Sequence, residues 1–256
     1  MVAGGRVDSA DVATSAQGVS APLAERLSAV RGRIAAAAER AGRDPGAVLL
    51  VAASKTVEAS RVAEMVALGV RDLGENRVQE AAAKVPALAA IAGPPGLRWH
   101  LIGHLQTNKA NRAATLFDVV HSVDGGRVAE ALSSRRPEEL PPLDVLVEAE
   151  LTGIAGHTGV PPEQLEEVVR SVLAAGPRLR LRGLMTMAPP VPDPDLARPT
   201  FARLRTLRDD LQQRLGVALP ELSMGMSDDY EVAVEEGATI VRLGRALFGE
   251  RPPRPA

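Results

Sequence analysis

A chain of 256 residues can bury a large core, as one big domain or two smaller ones, and 45% hydrophobic with 24% charged residues is ordinary for a globular protein. A net charge of −2 without a basic stripe argues against nucleic acid as the main partner, and one Trp, one Tyr and three Phe are too few for base stacking. The absence of cysteine excludes disulfides, thiolate catalysis and cysteine metal sites, and agrees with a cytoplasmic protein.

Residues 1–20 are rich in Gly, Ser and Ala and lack the charged-then-apolar pattern of a signal peptide, so they read as a disordered tail. No apolar run approaches membrane-span length. Over residues 21–41, Leu23, Leu27, Val30 and Ile34 fall on one face with Arg and Glu between them, which predicts a helix ended by Gly42. Asp44-Pro45-Gly46 turns the chain into an apolar, β-branched run over 48–53, a buried strand whose exit is Ser54-Lys55-Thr56. A helix over 58–68 and a short strand over 70–74 follow, then a helix to about residue 90 and a break at Gly93-Pro94-Pro95-Gly96. Strands are predicted over 97–102 and 118–123, with a helix ending near 116 between them and another to about 132 after Gly125-Gly126. Past a charged loop over 133–142 come a strand over 143–151, a Gly-containing exit over 153–159, a helix opened by Pro161-Pro162, and a strand over 179–187. A proline-rich loop over 189–199 is either a mobile flap or a plain connector. The last elements are a helix over 200–215, a strand over 219–224, a helix capped by Ser227-Asp228-Asp229, a strand over 239–243 and one helical turn over 244–248.

Eight strands alternating with helices, with one extra helix in front, predict an α/β protein with a parallel sheet; eight repeats in this length suit a closed (β/α)8, or TIM, barrel. A doubly wound open sheet is the alternative, but no Gly-x-Gly-x-x-Gly turn is present. No linker divides the chain, so residues 21–250 read as one domain, followed by a Pro/Arg-rich tail over 251–256.

A barrel carries its chemistry at the carboxyl ends of its strands. Three of the 30 basic residues are lysines, Lys55, Lys84 and Lys109. Lys55 stands at such an end, and unlike arginine it can lose its proton and form an imine. It is either a reactive amine or a surface charge snorkelling off the strand. The loops after the seventh and eighth strands are a common phosphate site in barrels, and here they offer Ser227 and Gly244. Each residue alone also fits a structural role, as helix cap and turn glycine. An amine opposite a phosphate site suggests pyridoxal 5′-phosphate (PLP), which carries an aldehyde for the one and a phosphate for the other.

The stretches Ala53-Ser54-Lys55-Thr56, Gly74-Glu75-Asn76-Arg77-Val78-Gln79-Glu80, Trp99-His100-Leu101-Ile102-Gly103-His104-Leu105-Gln106-Thr107-Asn108-Lys109, Arg182-Gly183-Leu184-Met185, Leu222-Ser223-Met224-Gly225-Met226-Ser227-Asp228-Asp229 and Val241-Arg242-Leu243-Gly244 resemble the pyridoxal phosphate homeostasis protein family. The resemblance spans residues 21–249 in six ordered motifs. It implies a fold type III PLP barrel acting in vitamin B6 and amino-acid homeostasis as a monomeric carrier without turnover, with PLP-dependent apo-enzymes as candidate recipients. It implies Lys55 as the Schiff-base lysine, Ser227, Gly244 and the amide of Arg245 at the phosphate, Asn76 beside the cofactor, and Arg242 facing the pyridine nitrogen. A guanidinium only donates, so the ring nitrogen would stay unprotonated and the electron sink weak. Racemisation by two bases would then be the surviving enzymatic alternative. Alanine racemases, which resemble this barrel, add a second β domain and a tyrosine base, whereas this sequence ends shortly after the eighth strand and its one tyrosine, Tyr230, reads as a half-buried helix residue.

Two positions depart from the family pattern. The loop after the fifth strand has His157 where the family has lysine, and Arg245 stands where threonine is common, so a guanidinium would replace a hydroxyl at the phosphate. His100 and His104 lack the spacing and third ligand of a zinc site; His100 reads as a core residue. Asp228-Asp229 reads as helix capping and Lys109 as a solvated charge.

Overall fold

In the computed structural model, residues 21–92, 96–154 and 156–250 are described; the readings for the tails at 1–20 and 251–256, and for the break at 93–95, lie outside them. Eight strands follow one another around a closed parallel barrel: β1 (Leu49–Ala53), β2 (Asp72–Glu75), β3 (Arg98–Leu101), β4 (Val119–Val123), β5 (Leu143–Glu148), β6 (Leu179–Met185), β7 (Glu221–Ser223) and β8 (Ile240–Leu243). Closure is made by β8 pairing with β1, Val51 opposite Arg242. Helices α2 (Ala59–Ala67), α3 (Val78–Ala92), α4 (Ala110–Leu116), α5 (Gly126–Ser133), α6 (Leu165–Ala174), α7 (Arg198–Leu215) and α8 (Tyr230–Glu235) return the chain, and α9 (Arg245–Phe248) follows β8.

The extra helix in front, α1 (Ala21–Arg40), lies against α8 and α9. It buries Leu23, Leu27, Val30 and Ile34, the face expected from the 3.6-residue repeat. The structure starts α7 two residues earlier than the sequence pattern suggests. Asp193 accepts the Asp195 amide ahead of it, and Pro199 sits where an amide has no intrahelical partner.

Strand alternation sends every second side chain inward. Outward residues pack on the helices as the large core, whereas Val51, Val119, Leu146, Met185 and Ile240 form a separate apolar cluster inside the barrel. Two residues further along β4, β5 and β8, the same inward face carries His121, Glu148 and Arg242, all buried. The interior thus turns from apolar to polar toward its carboxyl mouth. No helix among the described residues is long and apolar enough to cross a membrane.

Candidate functional site

A cavity of about 190 Å³ opens at the carboxyl mouth, where β7, β8, β1 and β2 lie side by side. Its lining includes Lys55, Asn76, Ser227, Arg242, Gly244 and Arg245, with Ile102, Met187 and Met226 as apolar walls. The six residues singled out from the sequence come from four strand ends, and the barrel brings all six to one cavity.

Lys55 is half-buried and follows β1 in a tight turn, closed by the Val57 amide donating to the Ser54 carbonyl at 2.9 Å. The turn places Thr56 at φ 64°, a left-handed conformation that costs a β-branched residue of order 1–3 kcal/mol and must be imposed by its surroundings. Ser54, the residue ahead of the turn, is held by a polar cluster that sequence reasoning missed. Lys84 Nζ donates to the Ser54 carbonyl at 2.5 Å and to Glu75 Oε1 at 2.7 Å, and the Ser54 hydroxyl donates to the same Glu75 oxygen at 2.6 Å. Burial pushes the Glu75 carboxyl above its ordinary range, against the opposing pull of Lys84 and Ser54. The signal available in the sequence was Lys84 itself, one of three lysines in an arginine-rich chain.

Asn76 follows β2 and presents an amide oxygen that is buried and, among the described residues, has no hydrogen-bond partner. Its backbone is clamped from β3: a Cβ on Gly103 would lie 2.4 Å from the Asn76 carbonyl, so only glycine admits this approach.

Ser227 does not cap α8 as the sequence pattern suggests. Its hydroxyl reaches the β8 side and accepts the Ala246 amide at 3.1 Å, while Asp229 bends back to take the Met226 amide at 2.6 Å. The Ser227 hydroxyl is thus spent on the first turn of α9 and Asp229 inside the β7–α8 loop, while α8 begins only at Tyr230. Gly244 gives the close approach expected of it, since a Cβ there would stand 3.2 Å from the Ala53 carbonyl. The Arg245 side chain is engaged by the carboxylate of Asp228, with Glu250 at 3.3 Å. The guanidinium expected to replace the family's hydroxyl is therefore already paired with an acid at the rim.

Arg242 is buried at the cavity floor and donates to Ser223 Oγ at 2.6 Å and to the Thr186 carbonyl at 2.9 Å. Burial lowers its pKa to about 10, with Glu148 and Asp229 acting in the opposite direction. No carboxylate forms an ion pair with it among the described residues. Behind it runs a buried series: Ser223 Oγ lies 2.8 Å from His121 Nδ1, His121 Nε2 2.9 Å from His100 Nδ1, and His100 Nε2 2.9 Å from Asp72 Oδ1. Burial, with His100, Arg242 and Arg98 adding to it, pushes the His121 imidazole well below the ordinary histidine range. His100 is the core residue expected; His121 carried no local pattern to mark it.

The remaining candidates lie elsewhere. Tyr230 is buried under the Arg33 guanidinium on the α1 side, its hydroxyl without a partner among the described residues, and does not line the cavity. His157 is exposed on the β5–α6 loop, 3.1 Å from the Thr152 hydroxyl, and is also outside the lining. His104 pairs with Asp124 at 3.3 Å. Among the described residues no group of three His, Cys, Asp or Glu side chains could hold a metal. Lys109 is half-buried rather than fully solvated.

Residues 26–252 match the family described as alanine racemase, N-terminal domain. The chain is 46% identical over 229 residues to the pyridoxal phosphate homeostasis protein of Pseudomonas aeruginosa, covering 90% of this chain and 96% of that one. Against the protein of the same name from Aquifex aeolicus it is 45% identical over 227 residues, covering 89% and 97%. Among solved structures it is similar to PipY of Synechococcus elongatus PCC7942 with PLP bound, with a TM-score of 0.77 and 38% identity over 89% of this chain and all of that one. An alanine racemase of Clostridium difficile 630 shares the fold at a TM-score of 0.66 and 16% identity, over 91% of this chain and 57% of that one.

Proposed function

The chain belongs to the pyridoxal phosphate homeostasis protein family, and from that premise we propose that it holds PLP at the barrel mouth, reversibly bonded to Nζ of Lys55. It acts as a cytoplasmic, monomeric carrier and buffer of the cofactor, with residues 21–250 as the binding unit and PLP-dependent apo-enzymes as recipients. The observation that carries this reading is the convergence of a half-buried lysine, Asn76, Ser227, Arg242 and Gly244 on one cavity. The residues fit the group: Asn76 offers a buried amide oxygen that lacks a partner, and Ser227 and the Ala246 amide meet across the β7 and β8 loops beside the glycine turn. Ser227, Gly244 and the Arg245 amide would hold the phosphate, Asn76 the ring substituents, and Arg242 the ring nitrogen. When bound, PLP supplies an electrophilic aldehyde and an aromatic electron sink.

Arg242 decides how far that sink works. It has only donors, and among the described residues no carboxylate forms an ion pair with it. A ring nitrogen facing it stays unprotonated, which disfavours transamination and decarboxylation and favours holding over turnover. A weak racemase is the second reading, favoured by the shared alanine racemase barrel. It needs a second base opposite Lys55, and Tyr230 lies outside the lining.

The test is uptake of PLP, read as a yellow absorbance that borohydride bleaches and fixes to the chain. A fixed label on Lys55→Ala would sink the site. Rapid interconversion of D- and L-alanine would replace the carrier reading by the racemase.

A further inference from the structure

Among the polar residues of the barrel interior that no step of PLP binding uses directly, Asp72, His100, His121 and Ser223 form one connected series. They lie on four different strands, β2, β3, β4 and β7, and all are buried. Contact by contact, they connect Arg242 at the mouth to Asp72 near the opposite rim, where Arg98 stands 3.6 Å from the Asp72 carboxylate.

The chemistry of the two ends fixes every hydrogen between them. Arg242 has donors only, so Ser223 Oγ must accept from it. The Ser223 hydroxyl has one other hydrogen-bond neighbour among the described residues, His121 Nδ1. If Nδ1 carried the proton, the serine hydrogen would be buried without an acceptor, a cost a buried site avoids. Nδ1 therefore accepts, and His121 carries its proton on Nε2. That nitrogen donates to His100 Nδ1, so His100 also carries its proton on Nε2 and donates to Asp72. Asp72 as a carboxylate only accepts, which closes the series without conflict. Four hydrogen bonds point the same way, from a buried cation to a carboxylate on the far side of the barrel, and aligned bonds of this kind polarise one another.

We infer that His100, His121 and Ser223 are positioning residues: a one-way hydrogen-bond relay, ended by the Asp72 carboxylate as its last acceptor, that seats the Arg242 guanidinium at the floor of the cofactor cavity. The relay answers a specific need. A desolvated guanidinium that feels Glu148 and Asp229 but forms an ion pair with neither still needs its donors satisfied, and the Thr186 carbonyl and Ser223 are what touch it. For the cofactor the inference rests on the PLP reading above; for the protein without cofactor it stands by itself.

The first test uses the wild-type chain without PLP. Long-range proton–nitrogen NMR is expected to show both His100 and His121 as neutral rings protonated on Nε2. A proton on Nδ1 of His121, or a charged His121 at neutral pH, breaks the relay and overturns the inference. The second test uses Ser223→Ala. The separate guanidinium proton signals of Arg242 are expected to collapse into fast exchange, and PLP affinity, read from the yellow band, to fall about tenfold, the weight of one lost hydrogen bond to a charged group. Unchanged Arg242 signals in Ser223→Ala overturn the positioning role whatever PLP does. A wild-type chain that takes up no PLP overturns the cofactor reading, and the apo spectra still decide the relay.

Discussion

Replacing Lys84 by methionine tests whether the buried cluster beneath the Lys55 turn supports the site. Methionine keeps the apolar stem but strands the Glu75 carboxylate, whose side chain is fully buried and loses a partner at 2.7 Å. Removing one partner of a buried pair costs about 3–5 kcal/mol. At roughly 2–4 °C per kcal/mol for a domain of this size, the melting temperature should fall by about 6–20 °C. The sign of the pH dependence identifies the cause. Burial raises the Glu75 pKa in the folded state, so the neutral acid favours folding at low pH and that advantage is lost as pH rises through the folded value. Without Lys84 the folded value rises further, so the deficit against wild type should be small near pH 5 and large near pH 8. Glu75→Gln combined with Lys84→Met should recover much of the loss, because no charge is left stranded. The assay is thermal unfolding of the three proteins across that range. A deficit equal at both ends, or a double variant as unstable as Lys84→Met, would refute the stranded-charge reasoning.

Asn76→Ala should leave the unliganded protein as stable as wild type or slightly more so, since it deletes a buried oxygen without a partner, while PLP affinity by absorbance titration drops several-fold. Tyr230→Phe should raise stability by about 1 kcal/mol through loss of an unpartnered hydroxyl, with PLP uptake unchanged; reduced uptake would bring the tyrosine back to the site. Gly103→Ala would place a Cβ 2.4 Å from the Asn76 carbonyl and push that segment off the cavity, so PLP uptake should weaken even where the far-UV circular dichroism spectrum is retained.

Part of the site was legible because barrels concentrate function at strand exits, which pointed to the rare lysine at 55, Ser227 and Gly244, whereas Asn76 and Arg242 were marked by the resemblance to a known family. Local capping was misread at Ser227. A Ser-Asp-Asp run has several amides to choose from, and only the folded loop shows that the hydroxyl serves Ala246 and Asp229 serves Met226. Arg245 was legible as a departure from the family pattern, yet its pairing with Asp228 depends on two loops meeting.

Strand and helix periodicity, the polar exits and the choice of lysine against arginine were written in the amino-acid order alone, because each is a short-range pattern of side-chain chemistry. The Glu75–Lys84 support beneath Lys55 and the series from Arg242 through Ser223, His121 and His100 to Asp72 were decided only by tertiary structure. Their members come from β2 and α3, and from five strands of the barrel. Barrel closure sets which inward side chains meet, and no local sequence pattern records a contact made across its interior.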